Sequence, residues 1–257
     1  MKKDISSSLS HDFAFYVDSF SNHINPYSAG QKFEIKDLLL WSRISTVIRM
    51  KVGKECTFFD RKVHALCSII DLSKKGFIEV LIISKSLNKT QSPCVTYAIP
   101  LLKKDAFEKA LYALVEVGVT CIQPIVTEKT HRKKITEKEA KRYKKIIIAA
   151  AEQSKNFRFP VLEDILSLDD FIDSVDYKNS HCFYFDFLGN SLLQMIDSIK
   201  NKKVENIYLI AGPEGDLTLE EKEKVKDKGF YFTILTSTVL RSWQAISLSS
   251  GIFRSIF

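Results

Sequence analysis

The 257 residues hold no Cys-x-x-Cys pair and no histidines at metal-ligand spacing. Cys56, Cys67, Cys94, Cys121 and Cys182 are scattered and odd in number, so neither a disulfide framework nor a zinc site is expected, and no metal is called for. Reduced thiols of this kind fit a cytoplasmic protein. No run of about 18 apolar residues occurs, so no helical membrane span and no membrane partner are expected. The opening stretch MKKDISSSLSHDFAF lacks the apolar core of a signal peptide. Both G-x-G-x-x-G and G-x-x-x-x-G-K-[ST] are missing, which excludes the usual dinucleotide fingerprint and the P-loop. There is no internal repeat and no low-complexity tract.

What is present describes a soluble globular chain with 45% hydrophobic and 27% charged residues. Its formal charge of +7 favours an anionic partner such as nucleic acid. The basic stretch 127–145 mixes Lys and Glu at helical spacing and reads as a solvated face. Arg43, Arg49, Lys51 and Lys54 in the first half are candidates for phosphate contacts.

The chain changes texture near its first third. FAFYV, ECTFF, VHALCSII and GFIEVLII are strand-length runs rich in β-branched and aromatic residues. One helix is expected over IKDLLLWSRISTVIRM, with Leu38, Trp41, Ile44 and Ile48 as its apolar stripe. This half reads as a small β-barrel-like domain over 1–90, closed by the polar linker SLNKTQSP. From there to 257, strands alternate with helices, which predicts a parallel α/β sheet covered on both faces. DAFEKALYALVEVG is a helix ending at Gly118 as its C-cap. Ligands of such sheets sit beyond the carboxyl ends of the strands.

Two strand-end loops carry the candidate chemistry. LIAGPEGDLTLEEKE (209–223) runs from an apolar strand into Gly212-Pro213-Glu214-Gly215 and then a helix. Thr218 and Glu221 predict a capping box at that helix start. The glycines allow close backbone approach to a ligand. In ILTSTVLRSWQA (234–245), Arg241 stands at a helix start, where the helix dipole disfavours a cation. It therefore needs another reason to be there: an ion pair, with Glu214 as partner, or contact with an anionic or substrate oxygen. The two loops, separated by one helix, are expected to lie side by side.

VIRMKVG (47–53), EVGVTCIQPIVTEKT (116–130), AAAEQS (149–154), IAGPEGDLTLEE (210–221) and VLRSWQA (239–245) occur in order over nearly the whole chain. Together they resemble the RsmE-type 16S ribosomal RNA uridine-N3 methyltransferases of the SPOUT class. The resemblance implies a PUA-like RNA-binding barrel followed by an α/β SPOUT domain over 91–257 whose chain end forms a trefoil knot. It implies S-adenosyl-L-methionine as cofactor, 16S rRNA in the small ribosomal subunit as substrate, and a homodimer through the knot. The implied cofactor residues are Phe185 and Asp186 in one loop, Ile210, Gly212, Pro213 and Gly215 in the second, and Leu235, Val239 and Leu240 in the third. Arg241 is the implied charge-stabilising group, and Glu214 orients it or relays a proton. Arg43, Arg49 and Lys51 are the implied RNA contacts.

The chain departs from that pattern at polar positions. Asp216-Leu217 replace Gly-Phe after GPEG, and LRSWQA replaces LRTETA, bringing in Trp243. A carboxylate at Asp216 is expected to crowd the ligand. A relic that binds RNA or cofactor without turnover is the alternative to a working enzyme, and a plain RNA-binding module is a third reading.

Overall fold

A computed structural model describes residues 13–199 and 203–257, and these form two compact units, one up to Lys89 and the other Thr90–Phe257. In the first unit, β1 (Phe13–Tyr16), α1 (Phe20–Ile24), β2 (Lys32–Lys36), α2 (Leu38–Ser42), β3 (Glu55–Phe59), β4 (Val63–Asp71) and β5 (Phe77–Leu87) follow in order. The sheet order is β1-β3-β4-β5-β2, antiparallel except for the β1–β3 pair. Strict alternation in β4 sends Val63, Ala65, Cys67 and Ile69 to the core and their neighbours outward. The core closes on Phe15, Phe20 and Phe58.

The helix expected over IKDLLLWSRISTVIRM is shorter and less regular than its stripe predicts. Ile35 belongs to β2, where Phe33 and Ile35 alternate into the core. Asp37 then caps α2, its side chain accepting from the Leu40 amide at 2.9 Å. The chain continues as a π-helical turn over Arg43–Val47. Leu40 and Ile44, four residues apart on one face, are buried, while Leu38 at the start of α2 is 53% exposed.

The second unit continues with β6 (Cys94–Pro100), α3 (Lys104–Val117), β7 (Cys121–Val126), α4 (Glu137–Ser154), β8 (Val161–Leu162), β9 (Leu166–Ser167) and α5 (Leu168–Ser174). It ends with β10 (Ser180–Ser191), α6 (Leu192–Ile199), β11 (Asn206–Ala211), α7 (Leu219–Asp227), β12 (Tyr231–Ile234) and α8 (Ser242–Ile256). The seven strands pair in parallel, in the order β12-β10-β11-β6-β7-β8 with β9 also on β7. Period-two alternation makes both faces apolar. Tyr97, Phe183 and Leu209 pack with α3, α6 and α8, whereas Ala98, Tyr184 and Ile210 pack with α5 and α7. Gly118 caps α3 at φ 87, in the left-handed region.

One expectation is corrected. β11 and β12 are not neighbours, because β10 lies between them. The far edge of β11 is already paired with β6, so β12 docks on the free edge of β10.

Candidate functional site

The strand order brings the carboxyl ends of β10, β11 and β12 together, and a four-residue detour widens the gap above them. Thr233 of β12 pairs first with Phe185 and again with Asn190, so Asp186–Gly189 leave the ladder and return to it. Gly189 makes the return possible: a Cβ there would lie 2.5 Å from the Thr233 nitrogen.

Above these strand ends is a cavity of about 890 Å³. Phe185 and Asp186 line it from β10, Gly212, Pro213 and Glu214 from the loop after β11. Leu235, Val239, Leu240 and Arg241 line it from the segment after β12. Ile210 does not: alternation turns it to the opposite face, where it is fully buried, and Ala211 lines the cavity instead. Gly215 also stands off the cavity wall, and its carbonyl accepts from Lys129 Nζ at 3.0 Å.

The Gly-Pro-Glu-Gly loop is held from several sides. The Asp216 amide closes a turn onto the Pro213 carbonyl at 2.9 Å. Asp216 itself takes a left-handed backbone, φ 59, which Asp tolerates better than most side chains. Its Oδ1 accepts from the Tyr184 hydroxyl at 2.5 Å and the Leu217 amide at 2.8 Å. Lys222 Nζ, on α7, donates to Asp216 Oδ2 at 2.6 Å and lies 2.7 Å from Asp186 Oδ2. The carboxylate expected to crowd the ligand is therefore engaged by three donors. The capping box at Thr218 and Glu221 is present, and Glu221 Oε1 also accepts from the Glu128 amide at 2.7 Å.

Charge follows this geometry. Burial alone would raise the Asp216 pKa, but the hydrogen bonds from Lys222 and Tyr184 hold it below the ordinary 3.8. Burial alone would lower that of Lys222, yet the Asp186 and Asp216 carboxylates raise it. Burial and then the Asp216 carboxylate push the Tyr184 phenol far above its ordinary range. Tyr184 is a neutral donor at any physiological pH.

Arg241 is the N-cap residue of α8, with φ −65 and ψ 145, and its side chain is exposed. No ion pair joins it to Glu214 among the described residues. Glu214 Oε1 instead accepts from the Lys103 amide at 3.1 Å. Lys103, Lys104 and Lys109 line the cavity from the start of α3, and Lys109 Nζ lies 5.2 Å from the Trp243 ring centroid. Neither α3 nor α8 has a side-chain cap, so two sets of N-terminal amides border the same space. Thr233 is fully buried on the cavity wall, and its hydroxyl has no hydrogen-bond partner among the described residues.

The lysines of α3, Thr233 and Trp243 escaped the sequence reading as cavity residues. Lys103 and Lys104 follow directly after a parallel strand, the position at which such sites are built, so that signal was available. Thr233 offered none. In the first unit, the Arg43 guanidinium lies 5.4 Å from the Phe15 ring centroid, and Arg49 and Lys51 are exposed, Arg49 at φ 60.

Residues 90–253 match the family described as RNA methyltransferase domain. The chain belongs to that family. Among curated relatives, this RNA methyltransferase family member is 26% identical over 217 residues to ribosomal RNA small subunit methyltransferase E of Rickettsia conorii, covering 82% of this chain and 80% of that protein. It is 26% identical over 237 residues to ribosomal RNA small subunit methyltransferase E 2 of Borreliella burgdorferi, with 89% and 93% covered. Its fold matches a Legionella pneumophila protein solved in complex with the bound cofactor SAM, at 25% identity and TM-score 0.78, covering 96% of this chain and 98% of that one. The Neisseria gonorrhoeae methyltransferase E bound to S-adenosyl methionine has the same fold, with TM-score 0.79 at 22% identity over 96% and 98% of the two chains.

Proposed function

We propose that this chain transfers a methyl group from S-adenosylmethionine to N3 of a decoding-region uridine in 16S ribosomal RNA, in the cytoplasm. The observation that carries this reading is the convergence of three strand-end loops and Arg241, which has no ion pair among the described residues, on one cavity of about 890 Å³, a volume suited to a small-molecule cofactor. The wall fits the cofactor. The orphaned Thr233 hydroxyl is a buried group awaiting a polar partner, and the loop backbones around Gly212 offer amides and carbonyls to an adenine edge. Phe185, Asp186, Gly212, Pro213, Leu235, Val239 and Leu240 would hold it, with Ile210 and Gly215 supporting the middle loop from behind.

When bound, the cofactor supplies an electrophilic methyl group. The protein must then deal with the base, because uracil N3 carries a proton at neutral pH. Losing that proton spreads negative charge onto the flanking carbonyl oxygens. Arg241 is the charge-stabilising group: its guanidinium borders the cavity, and no carboxylate pairs with it among the described residues. Glu214, fixed by the Lys103 amide, serves to orient the base or relay its proton. The half-buried Leu235 and Leu240 reduce access of water and so strengthen both interactions.

The same reading makes the first unit, over 1–90, a PUA-like module that holds RNA through Arg43, Arg49 and Lys51, and the second, over 91–257, a SPOUT domain. The order β12-β10-β11 supports a trefoil-knotted chain end. Phe187, Leu188 and Val239, exposed at 53%, 88% and 81%, support a homodimer formed there.

The decisive experiment is transfer of labelled methyl to small ribosomal subunits from a strain lacking the modification. 3-Methyluridine is the expected product. Cofactor binding without transfer favours the relic, and RNA binding without cofactor binding favours a plain RNA module.

A further inference from the structure

We infer that Lys222 is a positioning residue for the cofactor, an ammonium strut that sets the spacing between two of the loops bounding the cavity. This rests on the cofactor reading of that cavity. Asp186 belongs to the detour in β10 and Asp216 to the turn after β11, and both line the cavity. Lys222 does not line it: it reaches them from behind, from the second turn of α7.

One nitrogen serves both carboxylates, at 2.7 Å from Asp186 Oδ2 and 2.6 Å from Asp216 Oδ2. The remaining oxygens face their own loops. Asp186 Oδ1 accepts from the Leu188 amide at 2.8 Å, and Asp216 Oδ1 from Tyr184 and Leu217. Among the described residues, Lys222 is thus the side chain shared by the two loops through their carboxylates. The Asp186 side chain is only 6% exposed and that of Lys222 19%, so solvent screens the Asp186 contact weakly, whereas Asp216, at 53%, is open to water.

Removing the ammonium would leave two carboxylates facing each other across the space it filled. Like charges at that separation repel, and the buried Asp186 would lack its counter-ion. The detour and the turn would move apart, and the walls meant for the cofactor would lose their spacing. Chemistry at Arg241 lies on a different loop, after β12, and is not directly touched. The effect therefore belongs on cofactor affinity rather than on turnover at saturation.

The test is calorimetry and steady-state kinetics with S-adenosylmethionine on the full chain, comparing wild type with Lys222→Gln, Lys222→Arg and Asp216→Gly. For Lys222→Gln the expected result is a roughly 10-fold weaker Kd and a matching rise in cofactor KM, with kcat changed by less than about 3-fold. Lys222→Arg restores most of the affinity, because a guanidinium offers several donors to two carboxylates. Amide exchange at Leu188 and Leu217 speeds up in Lys222→Gln and not in Lys222→Arg. Asp216→Gly keeps the turn, since a glycine suits φ 59, and is expected to bind the cofactor more weakly even if Lys222→Gln does not fold. Folded Lys222→Gln or Asp216→Gly protein with wild-type Kd overturns the inference. Wild-type protein that binds no cofactor overturns the reading of the cavity itself, a result distinct from equal binding by wild type and variant.

Discussion

Gly189 lies so close to Thr233 that a Cβ on the glycine would sit 2.5 Å from the Thr233 nitrogen. The nearest atoms are backbone on both sides, from Phe232 and Thr233, and cannot swing away. Gly189→Ala is therefore expected to cost about 3 kcal/mol, at the upper end of overpacking effects, and to weaken cofactor binding by disturbing the detour. Denaturant melts and calorimetry on the same variant check both, and a variant as stable as wild type contradicts the close approach.

Thr233 offers a change with opposite signs on stability and binding. Its hydroxyl is buried without a partner among the described residues, so the isosteric Thr233→Val should stabilise the free protein by about 1 kcal/mol. The same change should weaken cofactor binding roughly 5-fold, through loss of one hydrogen bond. A thermal shift with and without cofactor reads the two effects together. Unchanged affinity would mean that the hydroxyl faces no ligand.

Arg241→Ala should leave stability within about 0.5 kcal/mol, since the side chain is exposed and carries no ion pair among the described residues. Methyl transfer should fall by roughly 10²-fold or more, the usual effect of losing a charge-stabilising donor. Wild-type transfer by this variant would remove Arg241 from the mechanism.

The Asp216–Lys222 pair predicts a specific acid limb in stability. The Asp216 carboxylate is held below its ordinary 3.8, so its contribution is complete above that value and is lost as pH falls through the lowered one. Lys222, raised above 10.5, contributes fully below that value and loses its contribution only as pH rises through the raised one. Stability from this pair is thus flat across neutral pH. Asp216→Asn should show a shallower loss of stability on acidification than wild type, measured by urea titration at stepped pH.

The places where sequence reading succeeded and failed differ in range. Helix α3 ending at Gly118, the Thr218–Glu221 capping box and the alternation along β4 rest on hydrogen bonds and periodicities spanning a few residues. The helix expected over IKDLLLWSRISTVIRM starts later than its apolar stripe implies because Ile35 answers to a partner strand, facing Ile78 across the β2–β5 pair. Asp216 reads as an obstruction because its partner Tyr184 lies 32 residues upstream, beyond the reach of any local pattern.

By itself, then, the sequence determined the alternation of strands and helices, the caps that end them, the family motifs and the two loops that carry Glu214 and Arg241. These follow from local backbone hydrogen bonding and from apolar spacing. Tertiary structure alone decided that β10 separates β11 from β12, that Thr233 reaches the cavity wall with an unpaired hydroxyl, and that Lys222 spans two carboxylates. Each of those depends on which strand edge was still free when distant segments paired, and no local pattern encodes that choice.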